Sequence, residues 1–551
     1  MNKNDFKEKT TVRGGKFSED EEQKLIAMYS KRHSDLQQLQ ANYLPIYDEL
    51  AIMGDPRNAY FRTKRTNGDL SHLVAKTDDT LQSALPLHAA VMNSLLTPSA
   101  YVWHDMRFCS EEAQTKYGAI LAKQNEIIYN KRYTAASNFV CAINTLYINN
   151  ALYGWYVLEV TKDIARKQVV YRALPIREFV IDQNERGFVD TFYRKVTMTY
   201  RHLRQMFPNY VPKKAQNGED LTWLNKEMTL LHVIEPSLSS SDGKFDSVYI
   251  DLTDGTIIKK TLESKSKYIA GRASTFSNTN DPYGFSPVMC VMPSTKNLNA
   301  VSFDLIKATH HASRYDLIAG DDVVNPRNYP DVTSIINGGM DSEGRPQVAV
   351  LSQRDLPTLD YMIKGWQKRI SDALFTDTFM LLQETQSRSA TDAMLKANER
   401  ANMIAPLGDR FSRELLQPLL ELEVEYYSEM TGVLPQFPEE AKDEEYDIIL
   451  DNPLLRGQRL DSVNSISNLA GTLGVVKGLS SEFNVDRTKE YLAGAYNVPL
   501  DIFNTQEEKQ QIIDAENEQA NLQLLAENAG GIGKGISDLS NAASGGKATT
   551  K

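Results

Sequence analysis

The pattern of apolar residues changes at Gly154 from a helical spacing to the alternation that is typical of strands. Upstream, a first helix is predicted whose apolar face consists of Leu25, Tyr29, Leu36, Leu39 and Tyr43. A second helix is predicted from the Asp78-Asp79-Thr80 cap to Thr97, and its apolar face consists of Leu81, Leu85, Ala89, Met92 and Leu96.

Residues 154–263 are predicted to be mainly antiparallel sheet. Trp155–Val160, Val169–Ala173 and Thr191–Thr199 combine β-branched or aromatic residues with flanking turn formers or charges. Asp254-Gly255 predicts a hairpin between two further apolar runs, because both residues tolerate a positive φ. The Ser-, Asn- and Thr-rich stretch that follows, residues 264–283, is predicted to be a surface loop.

Helical patterns return after Asn297 and place the chain in the α+β class. Helices are predicted over Asn299–Ile318 and Leu359–Leu374, and the Pro/Gly-rich insert between them holds short strands at Val323-Val324 and Gln347–Leu351. The apolar periodicity then predicts a long helix from Ser389 to about Met430.

That long helix contains Pro406 and Pro418, which should bend it. An acidic run follows and leads into a predicted strand at Ile448–Leu450. The Gly-, Ala- and Ser-rich tail, residues 528–551, is predicted to be disordered because it cannot bury a core.

Tyr133–Leu158 carries no charge, but four asparagines interrupt it, and their amides would be costly in a bilayer. We therefore predict a buried helix that runs into a strand. Met1–Lys16 has no apolar run, so no secretory leader and synthesis in the cytoplasm are expected.

Composition excludes several classes of protein. Cys109, Cys141 and Cys290 are far apart, which excludes a disulfide scaffold and a thiolate zinc site, and they are predicted to be small buried hydrophobes. The 61 Lys and Arg against 72 Asp and Glu give a net charge of −11, which disfavours a dedicated nucleic-acid clamp.

No motif predicts catalysis, a metal site or a cofactor. Gly284-Phe285-Ser286-Pro287 lacks the second glycine of a nucleophile elbow and is predicted to be a structural turn. Gly530–Gly535 departs from a phosphate loop at two positions and reads as linker. His310-His311 does not have the i, i+4 spacing with which one helix chelates a metal.

The clearest basic cluster is Arg62, Lys64 and Arg65, beside Tyr60 and Phe61. A solvated loop face is the default interpretation of such a cluster. A contact with phosphate or with a neighbouring subunit is the alternative.

Taken in order, the landmarks of this chain resemble the head-to-tail connector, or portal, family of short-tailed double-stranded DNA bacteriophages, over about residues 20–527. Two departures suggest a distant branch, because Asp392 stands where related chains usually carry Glu and the tryptophan common upstream of Leu44-Pro45 is missing. The landmarks are Tyr43-Leu44-Pro45, the Asp79 helix ending at Pro98 and Trp103, Asn149–Val160, Leu174–Phe179 with Gly187, Phe207-Pro208, Pro282–Pro287, Leu298-Asn299, Ala390–Ala393 with Arg400, Leu407-Gly408, Arg413–Leu416 and Pro418-Leu419.

The resemblance implies a multi-domain subunit of a ring, usually of twelve copies, at one capsid vertex. Packaged double-stranded DNA would pass through the ring without sequence specificity. By the family's plan the domains would be a wing (1–299), a stem helix (300–320), a clip (321–357), a second stem helix (358–374), a tunnel loop (375–390), a long kinked helix returning to the wing (391–455) and a helical crown (456–527), followed by the tail.

The resemblance also implies functional residues and partners. The tunnel-loop residues facing DNA would be Gln383, Thr385, Gln386, Ser387 and Arg388. The clip residues that dock partners would be Asn325, Arg327, Tyr329 and Asp331. The implied partners are further copies of the chain, a large terminase that supplies the ATPase, a capsid or scaffolding protein and a tail adaptor, in the virion and, during assembly, in the host cytoplasm, without a membrane.

Two other functions remain open at this point. One is a tail adaptor or capsid component, although an adaptor would usually be much shorter than 551 residues. The other is a metal-dependent nuclease, which would need carboxylates that converge in a cleft, and sequence alone does not show convergence.

Overall fold

The structure is a computed structural model, and all of the residues it describes belong to one unit of the chain, Met1–Gly457. The described residues are 19–62, 77–100, 102–213, 221–237, 243–273, 281–313, 317–319, 343, 348–350, 356–376, 408, 410–441 and 444–450. Helices and antiparallel sheets alternate in blocks along these residues, which confirms the α+β class.

The helices are numbered here in chain order over the described residues. They are α1 (Glu19–Gln40), α2 (Leu44–Gly54), α3 (Thr80–Leu96), α4 (Glu111–Arg132), α5 (Phe139–Tyr153), α6 (Tyr200–Met206), α7 (Pro287–Ser313), α8 (Leu356–Ala373) and α9 (Gln417–Glu429).

The strands form four antiparallel groups. The orders are β4-β5-β6-β7-β8, β3-β2-β9, β1-β12 and β10-β11. The strands are β1 (His104–Phe108), β2 (Trp155–Asp163), β3 (Gln168–Leu174), β4 (Phe179–Gln183), β5 (Val189–Thr199), β6 (Glu227–Pro236), β7 (Phe245–Asp251), β8 (Thr256–Glu263), β9 (Tyr268–Arg272), β10 (Leu317–Ala319), β11 (Val348–Val350) and β12 (Tyr446–Leu450).

Helix α3 confirms its predicted apolar face, since all five residues of that face are buried. Asp78 Oδ1 accepts the Thr80 N–H at 2.9 Å, whereas Asp79 at the N-cap makes no side-chain cap hydrogen bond, so one carboxylate of the predicted acidic cap binds the start of the helix. In α1 the prediction is wrong for Leu39, which is 62% exposed, while Ile26, Tyr29 and Leu36 face the five-stranded sheet.

The predicted passage from a buried helix into a strand is confirmed. Helix α5 ends at Tyr153, and β2 begins at Trp155. Gly154 between them has φ +85°, and a Cβ there would lie 2.4 Å from the Gly284 carbonyl oxygen, so only glycine fits. No helix in the described part of the chain has the length and hydropathy of a membrane span.

The hairpin predicted at Asp254-Gly255 joins β7 to β8, and Gly255 has φ +64°. The surface-loop prediction for residues 264–283 is wrong at β9, which pairs with β2 from Trp155↔Arg272 to Glu159↔Tyr268. The error arose because the polar residues on both sides of this five-residue strand outweigh its short apolar centre.

Helix α7 differs from its predicted bounds at both ends. Helix α7 begins at Pro287, where the Ser286 hydroxyl accepts the Met289 N–H at 2.9 Å and donates to the Leu152 carbonyl at 2.9 Å. This confirms a structural turn at Gly284–Pro287. The predicted helix to Ile318 is wrong at its end, because α7 stops at Ser313 and β10 begins at Leu317.

The part of the predicted long helix that is described contains a five-residue π-helical turn, Ser412–Leu416, before α9. Pro418 explains the wide turn, because it has no N–H for the Glu414 carbonyl and its ring would clash with that carbonyl in a regular α-helix. The Gln417 N–H donates to the Ser412 carbonyl instead, five residues back. Pro418 therefore perturbs the helix where a bend was predicted.

Two large hydrophobic cores contain most of the buried apolar side chains of the described residues, and two smaller clusters lie against the five-stranded sheet. The first core lies among α4, α5, α9, β1, β2 and β3, and the second among α2, α3, α5, α7 and α8. The prediction that the cysteines are buried is wrong: Cys109, Cys141 and Cys290 are exposed, and none of them forms a disulfide.

Candidate assembly and channel surfaces

Helices α7 and α8 pack against each other in opposite directions. Val288 and Leu298 of α7 lie in the second core together with Ile370 of α8 and Leu374, which directly follows α8, so the start of one helix lies beside the end of the other. At ~1.5 Å per residue, α7 is about 40 Å long, and much of it extends beyond this buried end.

Polar contacts attach the buried end of the helix pair to α2 and α3. Lys296 Nζ lies 2.7 Å from Glu49 Oε2, and Gln367 Nε2 donates to Thr80 Oγ1 at 3.3 Å. His88 Nδ1 donates to the Leu374 carbonyl at 2.8 Å, and burial lowers the pKa of this imidazole. The Gln367–Thr80 and His88–Leu374 contacts therefore fix the position of α8 along α3.

The other half of the helix pair, which is nearer to β10 and β11, presents large apolar side chains to solvent. These residues, here called the apolar patch, are Phe303 (47% exposed), Ile306 (45%), Tyr361 (80%) and Met362 (40%). The ammonium group of Lys307 lies 4.2 Å from the centre of the Phe303 ring. Exposed apolar side chains concentrated in one part of a structure are typical of a surface that another chain covers.

The chain leaves α8 through a left-handed residue. Phe375 has φ +58°, a conformation that glycine usually adopts at the end of a helix. Leu374 is buried in the second core, whereas Phe375 packs against the first. The direction in which the chain leaves α8 is therefore set by both cores and by the hydrogen bond from His88.

The segment that begins at residue 410 lies beside a buried ion pair. The Glu414 carboxylate accepts the Arg272 backbone N–H at 2.8 Å and lies 3.0 Å from Arg272 Nη2 and 3.0 Å from Arg410 Nε. The Arg272 and Glu414 side chains are only 4% and 9% exposed. Arg272 also donates to Gln183 Oε1 and to the Gly187 carbonyl, so it connects β9, the end of β4 and the π turn.

A second buried ion pair joins α4 to α9. The guanidinium of Arg132 lies 2.9 Å and 2.5 Å from the two Glu423 carboxylate oxygens, and both side chains are fully buried. The Tyr171 hydroxyl donates to Glu423 Oε1 at 2.5 Å. Burial and the Glu423 charge raise the pKa of Tyr171, so its hydroxyl remains a donor.

His104 completes this network. Its Nε2 accepts from Arg132 Nη1 at 2.8 Å, and its Nδ1 donates to Asn125 Oδ1 at 2.5 Å. Burial and the neighbouring Arg132 charge hold the pKa of His104 well below its usual range. The imidazole is therefore neutral in the folded protein, with its proton on Nδ1.

Among the residues predicted as sites, the structure describes Arg62. Its guanidinium pairs with Asp48 Oδ2 at 2.7 Å, and Asp48 Oδ1 accepts the Phe61 N–H at 2.7 Å. Asp48 thus ties this segment to α2, a role that no local pattern predicted. Lys64, Arg65, the four predicted clip residues and the five predicted tunnel-loop residues lie outside the described residues.

The sequence did not single out Arg272 or Glu423, and Glu414 stood out only as part of the family landmark Arg413–Leu416. Each of them pairs with a residue more than a hundred positions away, so neither spacing nor motif could reveal the contact. Within the described ranges, no group of three or more His, Cys, Asp or Glu side chains is placed to hold a metal ion.

Comparison with known proteins places the chain in a family. The model of the family described as "Bacteriophage head to tail connecting protein" matches residues 27–503. The chain is 25% identical over 496 residues to "Probable portal protein" of Bordetella phage BPP-1, which covers 86% of this chain and 87% of that protein. It is 24% identical over 541 residues to "Portal protein" of Salmonella phage epsilon15, with 92% of each chain covered.

Proposed function

The chain belongs to the family of bacteriophage head-to-tail connecting proteins, and we propose that it acts as a portal protein. Copies of the chain form a ring at one capsid vertex, through which double-stranded DNA enters during packaging and leaves at infection. The family match and the names of both relatives support this function. The proposed role is structural, and the ATPase that drives packaging belongs to a separate large terminase.

The apolar patch is the structural observation that supports assembly most directly. A ring requires a heterologous interface, in which one surface of a subunit covers a different surface of the next. Phe303, Ile306, Tyr361 and Met362 form an exposed surface of the kind that such contacts bury. We assign this half of the α7–α8 pair to the stem and to the contact between neighbouring subunits.

The double substitution Ile306→Asp and Tyr361→Asp is expected to abolish ring formation, because assembly would then bury two unpaired carboxylates. The measurement is the particle mass in solution, together with circular dichroism to show that the subunit remains folded. Ile164→Asp is the matched control, since Ile164 is 71% exposed at the β2–β3 hairpin. Rings formed by the double variant, or lost equally in the control, would contradict the assignment.

The remaining domains follow the family's plan. We assign residues 1–299 to the wing, 321–357 to the clip and 375–390 to the tunnel loop, and residues 391–455 to the long helix and its return. We assign residues 456–527 to the crown and residues 528–551 to a tail outside it. In the clip, Asn325, Arg327, Tyr329 and Asp331 bind the terminase and then the tail adaptor.

In the tunnel loop, Gln383, Thr385, Gln386 and Ser387 exchange hydrogen bonds with DNA phosphates as the duplex slides, and Arg388 supplies the one cation. Each subunit's net charge of −11 weakens adhesion to DNA elsewhere. The ring therefore guides DNA without binding it firmly. Lys64 and Arg65 contact phosphate or the neighbouring subunit, whereas Arg62 is already paired with Asp48.

Replacing residues 383–388 with Gly and Ser is expected to leave ring assembly intact and to lower the DNA packaged or retained per particle. The reason is the loss of the phosphate contacts, including one salt-sensitive cation per subunit. The DNA content of purified particles at several salt concentrations measures the effect. Normal packaging and retention by these particles would mean that the loop does not contact the genome.

A further inference from the structure

Two ion pairs bind the π turn at Glu414, and the backbone geometry of the turn does not require them. Pro418 accounts for the wide turn itself, but it does not explain why Glu414, within the turn, is held by Arg272 from the sheet and by Arg410 from its own helix. Arg272 donates to the Glu414 carboxylate from its backbone N–H and from its guanidinium. Such a bidentate contact fixes orientation as well as distance.

These ion pairs lie at the π turn, where a change of helical geometry would rotate the preceding residues. A π turn contains one residue more than the matching α turn, so conversion to an α turn rotates the preceding residues by about 100° and shifts them by about 1.5 Å. Aromatic packing opposes that rotation, since Phe411 stacks on Tyr156 with ring centroids 5.8 Å apart. The ion pairs at Glu414 oppose it as well.

We propose that Glu414, Arg272 and Arg410 form a latch that holds the helical segment containing the π turn in one rotational setting relative to the sheets. Arg272 also contacts Gln183 and Gly187, so the setting depends on the positions of β9 and of the end of β4. This inference rests on the proposed function in one respect: the segment preceding the latch includes the tunnel loop. The latch therefore couples the wing sheets to the residues that meet DNA.

Glu414→Gln tests the latch, because it removes the charge while keeping the size of the side chain. Hydrogen exchange of the amides at 410–417 is expected to accelerate, while the amides of Trp155–Val160 stay protected. Particles carrying the variant should form rings but retain less DNA than wild type. Glu421→Gln is the matched control, because Glu421 lies on the same polypeptide segment and pairs with Lys265 at a half-exposed position.

Arg410→Gln is the second variant, and it leaves the buried Arg272–Glu414 pair intact. If Glu414→Gln accelerates exchange throughout the protein, Arg410→Gln carries the test with the same two measurements. Unchanged exchange at 410–417, or accelerated exchange with normal DNA retention, would overturn the latch. Failure of the wild-type chain to form rings would instead overturn the proposed function, while the exchange measurement would still decide whether the latch exists.

Discussion

Replacing Arg132 with methionine is expected to lower the free energy of unfolding by about 3–5 kcal/mol, which is a large part of the ~5–15 kcal/mol that stabilises a typical domain. The substitution leaves the Glu423 carboxylate fully buried without its cation, and it removes the donor to His104 Nε2. Urea unfolding at a fixed protein concentration measures the loss. Tryptophan fluorescence can report the transition, because Trp103 and Trp155 are fully buried in the folded protein.

Two comparisons isolate the buried charge as the cause. Lys265→Met breaks a half-exposed ion pair to Glu421 at 2.7 Å and is expected to change stability by less than about 1 kcal/mol. Adding Glu423→Leu to Arg132→Met removes the orphaned charge and is expected to recover part of the loss, although Tyr171 then lacks its acceptor. Equal effects of Arg132→Met and Lys265→Met would contradict this account.

Acidification is expected to destabilise the fold steeply below pH 6.5. His33, His88, His104 and His232 are buried, and burial lowers the pKa of each, for His33 to about 4. The unfolded chain binds protons at these residues near pH 6.5 while the folded protein does not, so stability is full above that pH and falls as the pH drops towards the folded values. An imidazole that stays neutral in the folded protein contributes at most about 1.4 kcal/mol per pH unit below 6.5.

Unfolding midpoints measured between pH 7.5 and 5.5 test this expectation. His88→Gln is expected to reduce the pH slope, since it removes one imidazole that burial holds neutral in the folded protein. His202→Gln, at an exposed position on α6, is the control and should leave the slope as in wild type. A slope that is the same with and without His88 would show that its burial does not govern acid stability.

Local patterns were sufficient to predict much of the fold. The spacing of apolar residues on α3, the uncharged stretch that became α5 and β2, and the Asp254-Gly255 turn each predicted an element that the structure contains. In each case the signal lies within one element, so the residues themselves contain the information. The order of such elements also carried the family resemblance, which the family match confirms.

Contacts between distant parts of the chain explain what the sequence could not predict. Strand β9 is too short to be recognised alone, and it is stabilised by pairing with β2 more than a hundred residues earlier. Helix α7 begins at Pro287 because Ser286 bonds both to the helix and to α5. Arg132 looks like an ordinary charge at the end of a helix, and only the fold brings Glu423 to it.

The mass and shape of the purified protein test the central claim most directly. Particle mass should be measured over a range of protein and salt concentrations, and the particles imaged in negative stain, because monomers can persist before assembly. The account predicts closed rings with a central hole and a mass of about twelve times the 62.1 kDa chain. Monomers alone at every concentration, or open filaments in place of closed rings, would contradict it.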